Sequence, residues 1–115
     1  MGEEMAFKMG RAKIKVEKSP DFKRIYVTGA YGVHNPYDFR LGFYRDDMEF
    51  DEEAMMGRAP PTVRREVVIE IVLPPSAAKM LAEQLSRAIK DYEAKYGKIP
   101  LPPAPERRTP EGMFA

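Results

Sequence analysis

The segment "RREVVIEIVLPPSAAKMLAEQLSRAIKDYEAKYG", residues 64–97, constrains this chain more than any other stretch. Its first part reads as a strand, with Val67, Ile69, Ile71 and Leu73 on one face and Val68 and Val72 on the other around Glu70. A strand apolar on both faces needs cover on both. Pro74-Pro75 ends it and opens a helix, because proline is tolerated in a first turn where its missing N–H has no intrahelical partner. From Ser76 to Tyr96 the apolar positions Ala78, Leu81, Leu85, Ala88/Ile89, Tyr92 and Tyr96 advance by threes and fours, one stripe over about five turns. Lys79, Glu83, Arg87, Asp91 and Lys95 alternate in sign on the opposite face. Gly97 supplies a left-handed stop. One helix is about 10 Å wide with its side chains, so it covers part of one sheet face only.

The strands before this segment are weaker. "AKIKVE" (12–17) alternates, Ile14 and Val16 against Lys13, Lys15 and Glu17. "KSPDF" (18–22) is a turn, and "KRIYVTGAY" (23–31) is a second strand with Ile25 and Val27 opposite Tyr26 and Thr28. Gly29 and Gly32 mark a bulge or the strand's end. Asn35-Pro36-Tyr37-Asp38 has the chemistry of a type I turn, with Asp38 expected to cap it. "DFRLGFYR" then places Phe39, Leu41 and Phe43 on one face and Arg40, Gly42 and Tyr44 on the other. Residues 46–62 open with "DDMEFDEE" and read as an acidic loop unable to bury enough apolar surface to fold alone. Residues 1–11 are expected as a flexible lead and 99–115 as an extended proline-rich tail. The expected fold is α+β, a single domain over 12–98: a four-stranded antiparallel meander followed by one long C-terminal helix.

The uncovered face of that sheet would show Val68, Val72, Tyr26 and Tyr44. Such a patch is unusual on a soluble monomer. A sheet-mediated two-fold homodimer through those four residues, with exchange of strands as one form, is the expected cover.

Two blocks, "NPYDFRLGF" (35–43) and residues 67–99, resemble the small prokaryotic domain-of-unknown-function family 3467. The matching positions are Pro36, Tyr37, Asp38 and Phe39, then Ala78, Lys79 and Leu81, and finally Tyr92, Glu93, Tyr96 and Gly97. Gly42 stands where an acidic residue is common in that family, and Pro74 stands where a Ser or Thr cap is usual. The resemblance implies a small β-plus-helix protein and assigns no catalytic residue.

Composition narrows the function classes. With 115 residues there is room for one small domain. No window approaches the roughly 20 apolar residues of a membrane span, and the start lacks a signal-peptide layout, so a cytoplasmic location is expected. Abundant Lys, Arg and Glu with one Asn and one Gln suit a heat-adapted source, although eight methionines argue mildly the other way. The absence of cysteine excludes disulfides and thiolate chemistry, and one histidine argues against a histidine-rich metal centre. His34, Asp38 and Tyr37 form a conceivable acid–base group, but no nucleophile or oxyanion donor accompanies them, so a turn is the favoured reading. "DDMEFDEE" lacks the spacing and glycine of a calcium loop. Neither a metal nor a cofactor is expected, and no catalysis.

The basic residues carry the remaining expectation. Lys13, Lys15, Lys18, Lys23 and Arg24 gather in the first strands, Arg40, Arg45, Arg64 and Arg65 on or beside the later ones, and Arg87 and Lys90 on the helix. Phosphate contact is expected from Lys13, Lys15, Arg40, Arg45, Arg64, Arg65, Arg87 and Lys90. A partner-binding role is expected for Arg107, Arg108, Met113 and Phe114 in the tail. Together these suggest a non-catalytic homodimer that docks on or bridges the ribosome or another ribonucleoprotein, in the manner of a hibernation factor. A DNA-associated regulator is the alternative.

Overall fold

The computed structural model describes residues 5–10, 12–101 and 112–115, with side chains from residue 10 onward. In chain order the elements are β1 (Met5–Met9), β2 (Ala12–Val16), β3 (Gly29–His34), β4 (Phe39–Glu49), the one-turn helix α1 (Glu52–Met55), β5 (Thr62–Leu73), the long helix α2 (Pro75–Tyr96) and β6 (Met113–Phe114). A four-stranded antiparallel sheet of order β5-β4-β3-β6 and one long helix after β5 make the expected α+β class. The membership of that sheet departs from expectation in four places.

The strand expected at 12–17 is not in the sheet. It forms a separate two-stranded ribbon with β1, from the stretch expected to be a flexible lead. Met5, Phe7 and Met9 alternate with Ala6 and Lys8, the same period of two that marks β2. Gly10, at φ 59, adopts the left-handed backbone that a tight reversal after β1 needs. Next, the strand expected from Lys23 begins only at Gly29. Thr28 donates its N–H to the Tyr44 carbonyl at 2.8 Å, and its hydroxyl accepts from the Asp46 N–H at 3.1 Å. A side chain thus replaces the next backbone rung and ends the ladder.

The acidic loop is the third departure. Residues 46–49 continue β4, Asp51 caps α1 by accepting from the Ala54 N–H at 2.8 Å, and β5 already starts at Thr62. The reason is charge order. Arg45, Asp46 and Asp47 lie opposite Glu66, Arg65 and Arg64, so each of these three faces its opposite across an antiparallel pair. Last, the chain returns to the sheet after the proline-rich stretch. Met113 and Phe114 pair with Val33 and Gly32 as β6, and His34 N–H donates to the Gly112 carbonyl at 2.7 Å.

Registers divide the sheet into two faces. On the first lie Phe39, Leu41, Phe43, Ile69, Ile71, Leu73 and Phe114, and on the second Tyr31, Val33, Arg40, Tyr44, Val72 and Met113. A bulge between the Phe43 and Tyr44 pairs adds Val68 to the second face. Two central glycines serve close packing. Gly42 lies under the Tyr31 ring, and Gly32 lies under the Phe114 ring.

These are the only two buried residues among those described, and no apolar side chain is buried. The accessible surface is 10774 Å², against about 6,400 Å² for a compact monomer of this mass. A radius of gyration of 19.2 Å stands against the expected figure of about 13 Å. The chain makes a hydrogen-bonded sheet and a good helix, and leaves both without an apolar interior.

Candidate functional site

The turn between β3 and β4 is built from its own polar atoms. Asn35 N–H donates to the Asp38 carbonyl at 3.0 Å and closes the hairpin. The Asn35 side-chain oxygen accepts from the Tyr37 and Asp38 N–H groups at 2.8 and 3.0 Å. Asn35, not Asp38, is therefore the cap. Asp38 Oδ1 takes the Asn35 amide at 3.0 Å and faces Arg40 Nε at 3.5 Å. His34 stacks on Phe39 with ring centroids 5.4 Å apart, and Phe39 in turn leans on Phe114. Tyr37 projects away, 83% exposed. Thus His34 lies against Phe39 and Asp38 binds Asn35 and Arg40, while the Tyr37 side chain is left to solvent.

The end of α2 is likewise a polar device. The Glu93 carbonyl accepts the Gly97 N–H at 3.0 Å, and the Glu93 carboxylate accepts the Ile99 N–H at 2.8 Å. Gly97 at φ 99 makes the turn out of the helix. Tyr92 and Tyr96 stack against each other one turn apart. At the other end Pro74 provides no side-chain cap, as its chemistry dictates.

The basic residues of the sheet are matched by acids. Arg65 reaches Asp46 with Nε and an Nη at 2.8 and 2.9 Å, a two-pronged pair, and its guanidinium lies 3.9 Å from the Tyr44 ring centre. Those hydrogen bonds hold the Asp46 carboxyl below its ordinary range and push Arg65 further up. Arg64 stands opposite Asp47, Arg45 opposite Glu66, and Arg40 beside Asp38. Of the eight residues expected to touch phosphate, these four are distributed along a strand pair whose charges largely cancel.

The β1–β2 ribbon differs. Its register sets Lys8 opposite Lys13 and Ala6 opposite Lys15. Lys8, Arg11, Lys13, Lys15 and Lys18 answer to one acid in that stretch, Glu17, which Lys15 holds at 3.1 Å. Arg87 and Lys90 lie on exposed turns of α2, and Arg87 borders a shallow depression with Glu83 and Ser86. Thus Arg40, Arg45, Arg64 and Arg65 stand beside or across from acids, Lys15 pairs with Glu17, Arg87 falls between Glu83 and Asp91 in the helix series, and Lys13 faces a lysine.

Tyr26 is 78% and Val72 54% exposed, while Val68 is half-buried and Tyr44 is covered by Arg65 and packed beside Gly29. Of the four residues expected at a dimer face, Tyr44, Val68 and Val72 share the second sheet face, and Tyr26 lies before the start of β3. Met113 and Phe114, expected to hold a partner, are used by the chain's own sheet, and Arg107 and Arg108 lie outside the described residues. A groove of about 400 Å³ between the first sheet face and the start of α2, lined by Phe39, Leu41, Leu73, Leu81, Leu85 and Phe114, escaped sequence reading. Its signal was available in the alternation of "FRLGF" and the stripe of α2, but nothing in the sequence said how far apart they stand.

No helix among the described residues is long and apolar enough to cross a membrane. No curated protein and no solved structure matches the chain. The blocks that carry the resemblance, residues 35–43 and 67–99, contain the turn and the helix stop whose bonds are given above. Residues 2–101 match the family described as protein of unknown function (DUF3467), and the chain belongs to it.

Proposed function

We propose that this protein is a non-catalytic, cytoplasmic homodimer that docks on nucleic acid, with a ribonucleoprotein such as the ribosome as its target. The observation that carries the reading is the segregation of charge. The long β4–β5 pair cancels its own charge, while the β1–β2 ribbon concentrates lysines on an element that stands apart from the sheet. Lysine-rich elements of this kind bind phosphates through released counterions, without base readout. Lys13, Lys15, Arg87 and Lys90 supply the contacts. Self-association follows from the surplus of apolar surface, and a two-fold dimer carries two identical ribbons able to bridge two copies of a target.

A second reading, a DNA-associated regulator, is favoured by one feature: a two-stranded ribbon is the size of element that enters the major groove of B-DNA, about 12 Å wide. Co-sedimentation with ribosomal particles in gradients at low and high salt separates the two. The ribosomal reading expects the protein in particle fractions at low salt and its release at high salt. Absence from every particle fraction at low salt, with a salt-sensitive shift of duplex DNA, transfers the ribbon to DNA.

A further inference from the structure

The join between β5 and α2 is one residue long. Leu73 ends the strand, Pro75 begins the helix, and Pro74 between them is extended at φ −65 and ψ 156. Connections that let a helix fold back on its own sheet run to about 2–6 residues. Here two consecutive prolines fix φ where reversal would have to occur. The consequence is visible along α2. Its groove with the sheet ends at Leu85, halfway along, and the stripe continues as Ile89, Tyr92 and Tyr96, which are 45%, 50% and 66% exposed. Across the first sheet face, Ile69 and Ile71 beyond Leu73 are also exposed. One chain therefore carries two apolar surfaces, a helix stripe and a sheet face, that its own hinge holds apart.

From this we infer that α2 is exchanged between two copies, the outer half of each helix seating on the first sheet face of the other, with Pro74-Pro75 as the hinge. The inference rests on the homodimer in the proposed function and specifies what holds it together. A second copy is the fitting occupant because each copy offers both halves of the contact, so one two-fold operation covers all four surfaces. The dimensions agree: 22 residues of helix extend about 33 Å, and 12 residues of β5 about 40 Å. The alternating charges of Lys79, Glu83, Arg87, Asp91 and Lys95 stay on the outer side of the seated helix. The surplus surface of each chain, about 4,400 Å² over the compact figure, exceeds the roughly 1,000–2,500 Å² per partner that obligate dimers bury. Exchange through a short, stiff hinge is the low-cost route to such a dimer, since every contact is one the chain already encodes.

The chain has no cysteine, so introduced thiols are unambiguous. Ile69→Cys is paired in turn with Leu85→Cys, Ile89→Cys and Tyr92→Cys, each on a differently tagged copy of the full chain. The two copies are co-expressed and treated with a short bifunctional maleimide. Exchange predicts a covalent link between the two tags for at least one pair, in a species whose light-scattering mass is that of a dimer. A dimeric mass with no inter-tag link, or with a link only within one chain when both cysteines are placed on the same copy, overturns exchange and leaves the homodimer standing. A monomeric mass at micromolar concentration overturns both. As a second measurement, a Gly-Ser-Gly-Ser insertion between Leu73 and Pro74 frees the hinge. It is expected to shift the population toward monomer, and an unchanged inter-tag link in that variant contradicts the hinge.

Discussion

The β4–β5 hairpin and the α2 helix are the two longest pieces of regular structure, and they solve the same problem in opposite ways. The hairpin finds its partners within itself. Eleven residues of β4 run against β5, charges fall opposite charges, and Tyr44 is roofed by Arg65. The helix satisfies its backbone internally and terminates itself with Gly97 and Glu93, but its apolar stripe has little to lie on past Leu85. Polar pairing is short-ranged and legible as a reversed charge order. Apolar cover needs a surface delivered from elsewhere, and in this chain the delivery stops at a stiff proline joint.

The sharpest way to break the contrast is to place a charge on the helix stripe. Ile89→Asp puts an unpaired carboxylate at a position that the proposed exchange would bury, a change that costs on the order of 3–5 kcal/mol. Light scattering is expected to show the dimer weakened a hundredfold or more, while Arg87→Asp on the outer face leaves the mass unchanged. If both variants behave alike, stripe and outer face are equivalent and the contrast fails.

A smaller effect probes the sheet's own packing. Gly42→Leu drives a side chain into the Tyr31 ring. Overpacking of this kind costs about 1–3 kcal/mol, to be read as a lower urea midpoint with the slope retained. Phe114→Ala removes the ring that covers Gly32 from a half-exposed site, and a loss of about 1 kcal/mol is expected in the same titration.

The smallest effect lies in the hairpin's charges. The Asp46 carboxyl is held below its ordinary value of 3.8 by hydrogen bonds from Arg65. Its contribution is fully present above that value and is lost as the pH falls through the lowered one. Asp46→Asn should therefore lower the thermal midpoint slightly at neutral pH, and the gap to the unmodified chain should close in acid. The pair is exposed, so screening keeps the effect small, and added salt should shrink it further.

Much of the local structure was legible in the residues. The strand at 64–74, the proline start and the glycine stop of the helix, and the turn at Asn35-Pro36 all follow from side-chain period and backbone restriction, and all stand where they were expected. The continuation of β4 through Asp46 and Asp47 was legible too, had the acids been read against Arg64 and Arg65 in reverse rather than by composition. The ribbon at 5–16 and the return of Met113-Phe114 were not. Each depends on which strand edge is free, a property of the assembled sheet.

The same division applies to the candidate site. Counting lysines and arginines along the chain singled out eight positions as equals. Only the register showed that Arg45, Arg64 and Arg65 face acids and that Lys13 faces a lysine. Sequence alone determined the long strand before Pro74, the helix with its proline start and glycine stop, and the turn at Asn35-Pro36, because those depend on neighbours within a few residues. Tertiary structure decided which apolar faces meet, because a face is covered only when the connection beside it is long enough to turn back, and the one at Pro74 is not.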